Sequence, residues 1–304
     1  MTKVLSGSLA SGFISGNSST LSLNAPVDVL KANSLRINNV TRLSKCGYNG
    51  FLMVYNGKVY TCAGNQGTYN TYANGRGNQY PLNMGYDSLR VVAFPNETGP
   101  IVDSNNNGYT VAYALFGNGN LYTWGYNNYG QVGIGPEYHV NSGFNRGPDS
   151  RTETVRHPIC LTKEVYFNGY RVVDIATMQE SSFALTEDGT LWAWGRNNYG
   201  QLGFPTSSSF ISTDRSYAPF AIPINWATYG GIQKFFCSSY ENSDWLIVLD
   251  GQGHVWTAGY NNNGQLGLGN TTNYSSPKQV GALSTWGKLM QNSPSASHTL
   301  ALIY

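Results

Sequence analysis

"TLWAWGRNNYGQLG", residues 190–203, decides the fold, because the chain writes this phrase more than once. "NLYTWGYNNYGQVG" occupies 120–133 and "HVWTAGYNNNGQLGLG" occupies 254–269. Self-similarity at intervals of tens of residues marks a repeat architecture. Around these phrases each unit has four steps. The first is a short apolar run: "RVVAF" at 90–94, "RVVDIA" at 171–176 and "IQKFFC" at 232–237. The second runs into a tight turn, as in "GFLMVYNG", "AYALFGNG", "SFALTEDG" and "WLIVLDG". Asn-Gly and Asp-Gly suit two-residue hairpins because these residues tolerate positive φ. The third is the strand after the turn: "KVYTCAG", "NLYTWG", "TLWAWG" and "HVWTAG". The fourth begins at a proline beyond the Gly-rich loop: Pro81, Pro158, Pro219 or Pro277. Proline suits the first residue of an edge strand, where its missing N–H costs nothing.

The runs are rich in Val, Ile, Leu, Tyr, Trp and Phe, and no 3.6-residue apolar stripe of helical length appears. Four short antiparallel strands per repeat predict an all-β chain, a β-propeller. The C-terminal "WGKLMQNSPSASHTLALIY" supplies steps one and two of a last blade. The N-terminal "NAPVDVL" at 24–30 matches the proline-led fourth step, and "LASGFISGNSSTLSL" offers a third. "NNVTRLSKC" then opens the next blade. Pro26 thus joins the other four prolines, and five blades are expected within a single domain spanning 1–304. The repeats are expected at about 43–89, 90–165, 166–225, 226–283 and 284–304, with 1–42 contributing ring-closing strands to the last. Closure by both ends of the chain would cover sheet edges that otherwise stay unpaired.

Most residues of the phrase have structural readings. Gly125, Gly195 and Gly259 follow the third strand, Gly130, Gly200 and Gly264 come five later, and Gly133, Gly203 and Gly267 close the phrase. They let the backbone turn where side chains will not fit. Gln131, Gln201 and Gln265 are expected to hydrogen-bond loop backbone. Trp124 and Trp194 are expected to pack between blades. Cys46, Cys62, Cys160 and Cys237 form no C-x-x-C pair and no zinc spacing, so they read as buried free thiols.

"LWAWGRNNYGQLG", the preceding "SFALTEDG" and the terminal "SASHTLAL" resemble the regulator of chromosome condensation repeat. The resemblance covers essentially the whole chain, strongly from about 111 to 304. It implies a β-propeller. The founding member of that family is a nucleotide exchange factor for a small nuclear GTPase and also binds nucleosomes; other members are adaptors, and the repeat occurs in bacterial and viral proteins. This chain departs from the founder in having five expected blades rather than seven and no basic N-terminal tail. Exchange activity is therefore not carried over.

Composition narrows the function. Charged residues make up 11% of the 304, well below the usual share of about 25%. The net charge of +2 gives no electrostatic footprint for a nucleic acid. No apolar stretch approaches the ~20 residues of a membrane span, and the opening residues lack the apolar core of a signal peptide. Asp and Glu total only 16, and no facing carboxylate pair can be read for glycoside hydrolysis. "DSNNNG" at 103–108 begins like a calcium loop, but Ala114 stands where the bidentate Glu belongs. His139, His157, His254 and His298 are scattered singly. G-x-S-x-G, P-loop and H-E-x-x-H motifs are absent. No enzymatic activity, cofactor or metal is expected.

The repeats differ where function should lie. From the last motif glycine to the blade proline takes 10 residues at 267–277, 16 at 203–219 and 25 at 133–158. "PNETGPIVDSNNNG" at 95–108 reads as an insertion between steps one and two. If strands alternate in direction, all this extra length falls on one face. The inserted loops combine Tyr and Phe with Ser, Asn, Gly and scattered Arg, the palette of recognition loops. The expected binding residues are Tyr69, Tyr72, Tyr80, Tyr138, Phe144, Arg146, Arg151, Phe210, Arg215 and Tyr217. The chain reads as a non-catalytic recognition module for a protein or cell-surface glycan. A phage virion protein, such as a tail-tip receptor binder or decoration protein, fits the composition; it would be extracellular without a signal peptide. The alternatives are a cytoplasmic adaptor or exchange factor for a small GTPase, an enzyme on sugars, and an architectural virion subunit contacting only its neighbours.

Overall fold

The computed structural model describes residues 40–46, 50–63, 90–91, 94, 97, 99–105, 111–135, 154–163, 166–178, 180–204, 211–212, 214–240, 243–290 and 300–303. The chain is all-β, built from antiparallel sheets in repeating order. The first sheet holds β1 (Val40–Cys46), β2 (Gly50–Tyr55), β3 (Lys58–Ala63) and β4 (Arg90–Val91). The second holds β5 (Ile101–Asn105), β6 (Val111–Phe116), β7 (Leu121–Tyr126) and β8 (Thr154–Cys160). The third holds β9 (Val172–Thr177), β10 (Ser181–Thr186) and β11 (Leu191–Arg196), then β12 (Ile211–Ser212) and β13 (Arg215–Ala221). Here β13 lies against β11, and β12 folds back on β13. The fourth holds β14 (Ile232–Tyr240), β15 (Ser243–Asp250), β16 (Val255–Gly259) and β17 (Tyr274–Gln279). The fifth pairs β18 (Trp286–Met290) with β19 (Leu300–Ile303). The ring-closing strands expected within 1–42 lie outside the described residues before Val40, as do Pro26 and Pro81.

The two middle strands of the second, third and fourth sheets are buried over most of their length, with apolar side chains predominating. β6 is buried at all of its positions. One cluster joins Val54 and Val59 of the first sheet, Trp124 of the second, and Ile175 and Trp194 of the third. A second joins Phe183 and Leu202 to Phe235 and Val248 of the fourth. Trp124, Trp194 and Trp245 are fully buried. Each large side chain removed from water in this way contributes about 2–3 kcal/mol.

Three expectations need correction. The segment "RVVAF" does not open the second unit. Arg90 and Val91 pair with Thr61 and Tyr60 as the fourth strand of the first sheet. The second sheet begins at Ile101, so the boundary expected at 89/90 moves past Val91. The prolines do not start their strands. Pro158, Pro219 and Pro277 lie inside β8, β13 and β17, where three residues face one across a bulge: 156–158 against Trp124, 217–219 against Trp194, 275–277 against Ala258. A bulge interrupts the ladder, so the absent N–H is still not missed. Finally, of the four turns expected at Asn-Gly and Asp-Gly only Asn56-Gly57 makes a two-residue hairpin, with Tyr55 paired to Lys58 and φ of 48° and 71°. The turns at 117–119, 187–189 and 251–253 have three residues, closed by Phe116 N–H to Asn120 O, Thr186 N–H to Thr190 O and Asp250 N–H to His254 O. Their left-handed residues are Gly119, Gly189 and Gly253, so in the last the left-handed glycine is not the one after Asp250.

Because every pairing is antiparallel, each sheet has a turn end, carrying these hairpins, and a loop end, carrying the connections between its outer pairs of strands. The strand ends that flank 64–89, 127–153, 197–210 and 260–273 lie at the loop end. Residues 92–100 do not, because they link one unit to the next. Glu97 accepts hydrogen bonds from Asn118 (3.0 Å) and Asn120 (2.7 Å) of the second hairpin, which fixes this stretch at the turn end. Glu97, Gly99 and Pro100, part of the stretch expected as an insertion, therefore lie opposite the face expected for it. "DSN" at 103–105 is strand β5.

Two glycines separate backbone strain from crowding. Gly189 and Gly200 both have left-handed backbones, φ 84° and 77°. A Cβ at Gly200 would lie 2.4 Å from Ser275 Cα, whereas among the described residues nothing is within 4 Å of one at Gly189. Gly189→Ala is expected to cost about 1 kcal/mol of strain. Gly200→Ala should cost about 2 kcal/mol more, through overpacking against backbone. Urea unfolding of both variants measures the difference.

Candidate interaction face

The loop end is built on the repeated phrase, which forms the same clasp three times. After the third strand, Asn127, Asn197 and Asn261 are buried. Their Oδ1 atoms accept the N–H groups of Val132 (3.0 Å), Leu202 (3.0 Å) and Leu266 (2.9 Å). Gln131, Gln201 and Gln265, also buried, accept through Oε1 the N–H of Tyr129, Tyr199 and Asn263, each at 2.9 Å. That is the backbone role expected for these glutamines. Thr123 and Thr257 donate to the carbonyls of Val132 (2.7 Å) and Leu266 (3.0 Å), while the third sheet has Ala193 at this register. A buried amide left unpaired costs about 1–3 kcal/mol, so each Asn and Gln side chain replaces a strand partner for loop backbone.

The clasp also holds the next sheet. Gln131 O accepts from Trp194 Nε1 and Ser182 Oγ, both at 3.0 Å. Gly135 N–H donates to Tyr217 O (2.9 Å), and Arg215 Nη1 donates to Asn128 O (2.8 Å). Between the third and fourth sheets Ser181 Oγ donates to Arg196 O (2.9 Å) and lies 3.1 Å from Asp244 Oδ2. Trp194 thus packs between units, as expected.

Above the clasps runs a row of half-buried aromatic and cationic side chains. Arg196 lies 4.7 Å and Arg215 5.2 Å from the Tyr129 ring centroid. One unit further on, Tyr199 meets Tyr260 edge-on at 4.8 Å. Arg196 and Tyr260 each follow the strand-ending glycine of their unit, and Tyr129 and Tyr199 each precede the loop glycine. The row is therefore periodic across sheet boundaries. Arg196 is ion-paired with Glu180, whose carboxyl burial pushes upward in pKa against the pull of the guanidinium. Arg215 grips Asp214 through Nε (3.0 Å) and Nη2 (2.6 Å), which raises its pKa further. Both cations are thus neutralised locally, and the row presents no net charge.

Of the residues expected to bind, Arg215 and Tyr217 sit in this row, and both also secure the second clasp to the third sheet. Tyr69, Tyr72, Tyr80, Tyr138, Phe144, Arg146, Arg151 and Phe210 lie outside the described residues. Tyr129, Arg196, Tyr199 and Tyr260 were missed by sequence reasoning, which looked only at what differs between repeats. The signal was their equivalent position within the phrase. Cys237 is buried, and burial first, then Asp244, raises its thiol pKa well above the ordinary value. Among the described residues no group of His, Cys, Asp and Glu is placed to hold a metal ion, and no helix is long and apolar enough to cross a membrane.

Comparison with known proteins agrees with this architecture. The family model "Regulator of chromosome condensation (RCC1) repeat" matches residues 118–185, 188–240 and 252–302. The Ultraviolet-B receptor UVR8 of Arabidopsis thaliana is 27% identical over 266 residues, covering 86% of this chain and 53% of that protein. The human E3 ubiquitin-protein ligase HERC2 is 30% identical over 167 residues, covering 54% of this chain and 3% of that protein. The crystal structure of Prp20p from Saccharomyces cerevisiae, described with its binding to Gsp1p and histones, superposes with a TM-score of 0.59 at 16% identity. It covers 81% of this chain and 51% of that one. Human WBSCR16 gives a TM-score of 0.58 at 24% identity, over 79% of this chain and 51% of that one. The chain spans about half the length, or less, of these relatives.

Two measurements probe the face. Arg196→Ala strands Glu180, whose side chain is 11% exposed, and should cost about 3 kcal/mol in chemical unfolding. Arg215→Ala frees Asp214, 41% exposed, and should cost about 1 kcal/mol or less. In maleimide labelling at pH 8, Cys237 should react only once denaturant unfolds the chain, because neither access nor thiolate is available in the fold. With these sheets, clasps and matches in place, the chain belongs to the regulator of chromosome condensation repeat family of β-propellers.

Proposed function

We propose that the chain is a non-catalytic recognition module that binds a protein partner through the loop end of its sheets. The observation that carries this reading is the unequal use of the two ends. The connections 64–89 and 127–153, the longest between paired strands, both leave the loop end, and a clasp at 127–132 holds the start of the second. Long loops on a rigid base are the usual seat of recognition, and their Tyr, Asn, Ser and Gly give contact area at low entropic cost. Protein binding by a related propeller, Prp20p, with Gsp1p and histones supports a protein as the partner class. The charge-poor composition favours an exposed setting such as a virion surface, where the partner is a receptor protein or the glycan it bears.

Immobilised full-length chain should retain a partner from extracts of its source. Changing Tyr138, Phe144 and Arg146 together to Ala should abolish retention and leave the thermal unfolding midpoint unchanged. Equal retention by both forms would reject this loop as the contact. Accelerated nucleotide release from a captured GTPase would replace the simple binding module with an exchange factor.

A further inference from the structure

Among the described residues five large apolar side chains are exposed: Val102, Tyr170, Val173, Phe220 and Leu283. Phe220 is on the outer strand β13. The other four lie at the turn end, opposite the loops. Tyr170 and Leu283 are in the links that enter β9 and β18, and Val102 and Val173 are in β5 and β9. The strand that opens each sheet has a bulge near its start, and the unpaired residues are Thr41, Val102, Val173, Gln233 and Gly287. A bulge re-aims the extra residue, and all five are exposed. Thr, Gln and Gly serve in the first, fourth and fifth sheets, so this backbone does not call for valine. The second and third sheets, whose opening strands touch, nevertheless carry Val102, 44% exposed, and Val173, 50% exposed.

An unneutralised pair of charges borders these valines. A Cβ at Gly117 would lie 3.5 Å from Val102 Cγ1. The carbonyl of Gly117 accepts Arg171 Nη2 (2.8 Å) and that of Asn118 accepts Arg171 Nε (3.0 Å), so the guanidinium is pinned beside Val102. The Arg171 N–H donates to Glu187 Oε1 (3.2 Å). Arg171 and Glu187 are both exposed, and neither forms an ion pair among the described residues. Asp174, beside Val173, is already paired with Lys234 (3.3 Å).

We propose that the turn end is a second interaction surface and that its occupant is a second copy of this chain. Exposed apolar side chains grouped on one face mark an interaction site. An acid and a base side by side next to that group are complementary to the same surface turned about a two-fold axis. Arg171 of one copy then faces Glu187 of the other, twice over, and Val102 and Val173 are covered between them. Because the two charges cancel, the patch has no preference for an acidic or a basic protein; it matches its own reversed arrangement. Pairing through this face leaves the loop ends pointing outward on both sides.

The test is sedimentation equilibrium of the full-length chain over a concentration series. The unaltered chain should reach double the monomer mass. Val173→Asp should stay monomeric with its unfolding midpoint unchanged. Arg171→Glu and Glu187→Arg should each be monomeric alone, because like charges then meet. An equimolar mixture of those two should dimerise again, since each copy supplies the charge the other now needs. An unaltered chain that stays monomeric, a dimer that survives Val173→Asp, or a mixture of folded variants that stays monomeric would overturn the proposal. So would a monomer that binds a different protein through this face. Should Arg171→Glu fail to fold after losing its bonds to the 117–119 hairpin, Val173→Asp still decides, because it changes an exposed bulge residue.

Discussion

The boundaries between the second and third and between the third and fourth sheets depend on loop backbone that has been taken out of water without a strand to pair with. Burying peptide groups in a connection is costly unless something replaces the lost hydrogen bonds. Here one Asn and one Gln per repeat do so from fixed positions, accepting N–H groups two and five residues further along or back in the same loop. Once its own amides are satisfied, the loop can press its glycines against the next sheet. The carbonyl of Gln131 is then free to receive Trp194 and Ser182 across the boundary. Sequence spacing, local turn and inter-sheet packing are in this sense one device, and the aromatic and cationic row above it inherits its periodicity.

Much of this was legible in the sequence, for a physical reason. Strands covered on both faces are mostly apolar, so "FAL" and "LWAW" announce themselves, and left-handed turn positions call for glycine. The glutamines were readable because a repeated amide in a Gly-rich loop offers its oxygen to loop backbone, and Oε1 is the atom that accepts there. What was not legible depended on register. In the second, third and fourth sheets proline was rightly tied to the outer strand, but whether it starts the strand or sits in a bulge changes nothing in composition. "RVVAF" has the same apolar character whether it ends one sheet or opens the next, and only its pairing with Tyr60 and Thr61 distinguishes the two. The length of the hairpins turned on which glycine lies in the left-handed region, and in "LDGQGH" two candidates stand two residues apart.

The working face was half legible. Looking for differences between repeats singles out the long insertions and leads to Arg215 and Tyr217. It overlooks side chains that recur, such as Tyr129 and Tyr199, because recurrence reads as scaffold. The structure shows that the two categories overlap. Arg215 steadies a clasp and also belongs to the row around Tyr129. A face assembled in this way is rigid at its base, and its variation is confined to what is inserted between fixed points. On the reading proposed above, that arrangement would leave the fold unchanged while the inserted loops vary.

The central claim, that the repeated loops are buried structural clasps rather than solvated connections, is tested most directly by amide hydrogen exchange at Val132, Leu202 and Leu266. These amides lie in loops but donate to buried Asn side chains. They should exchange as slowly as amides in the middle strands β10 and β15, through global unfolding. Exchange at the rate of ordinary surface loops would contradict the account.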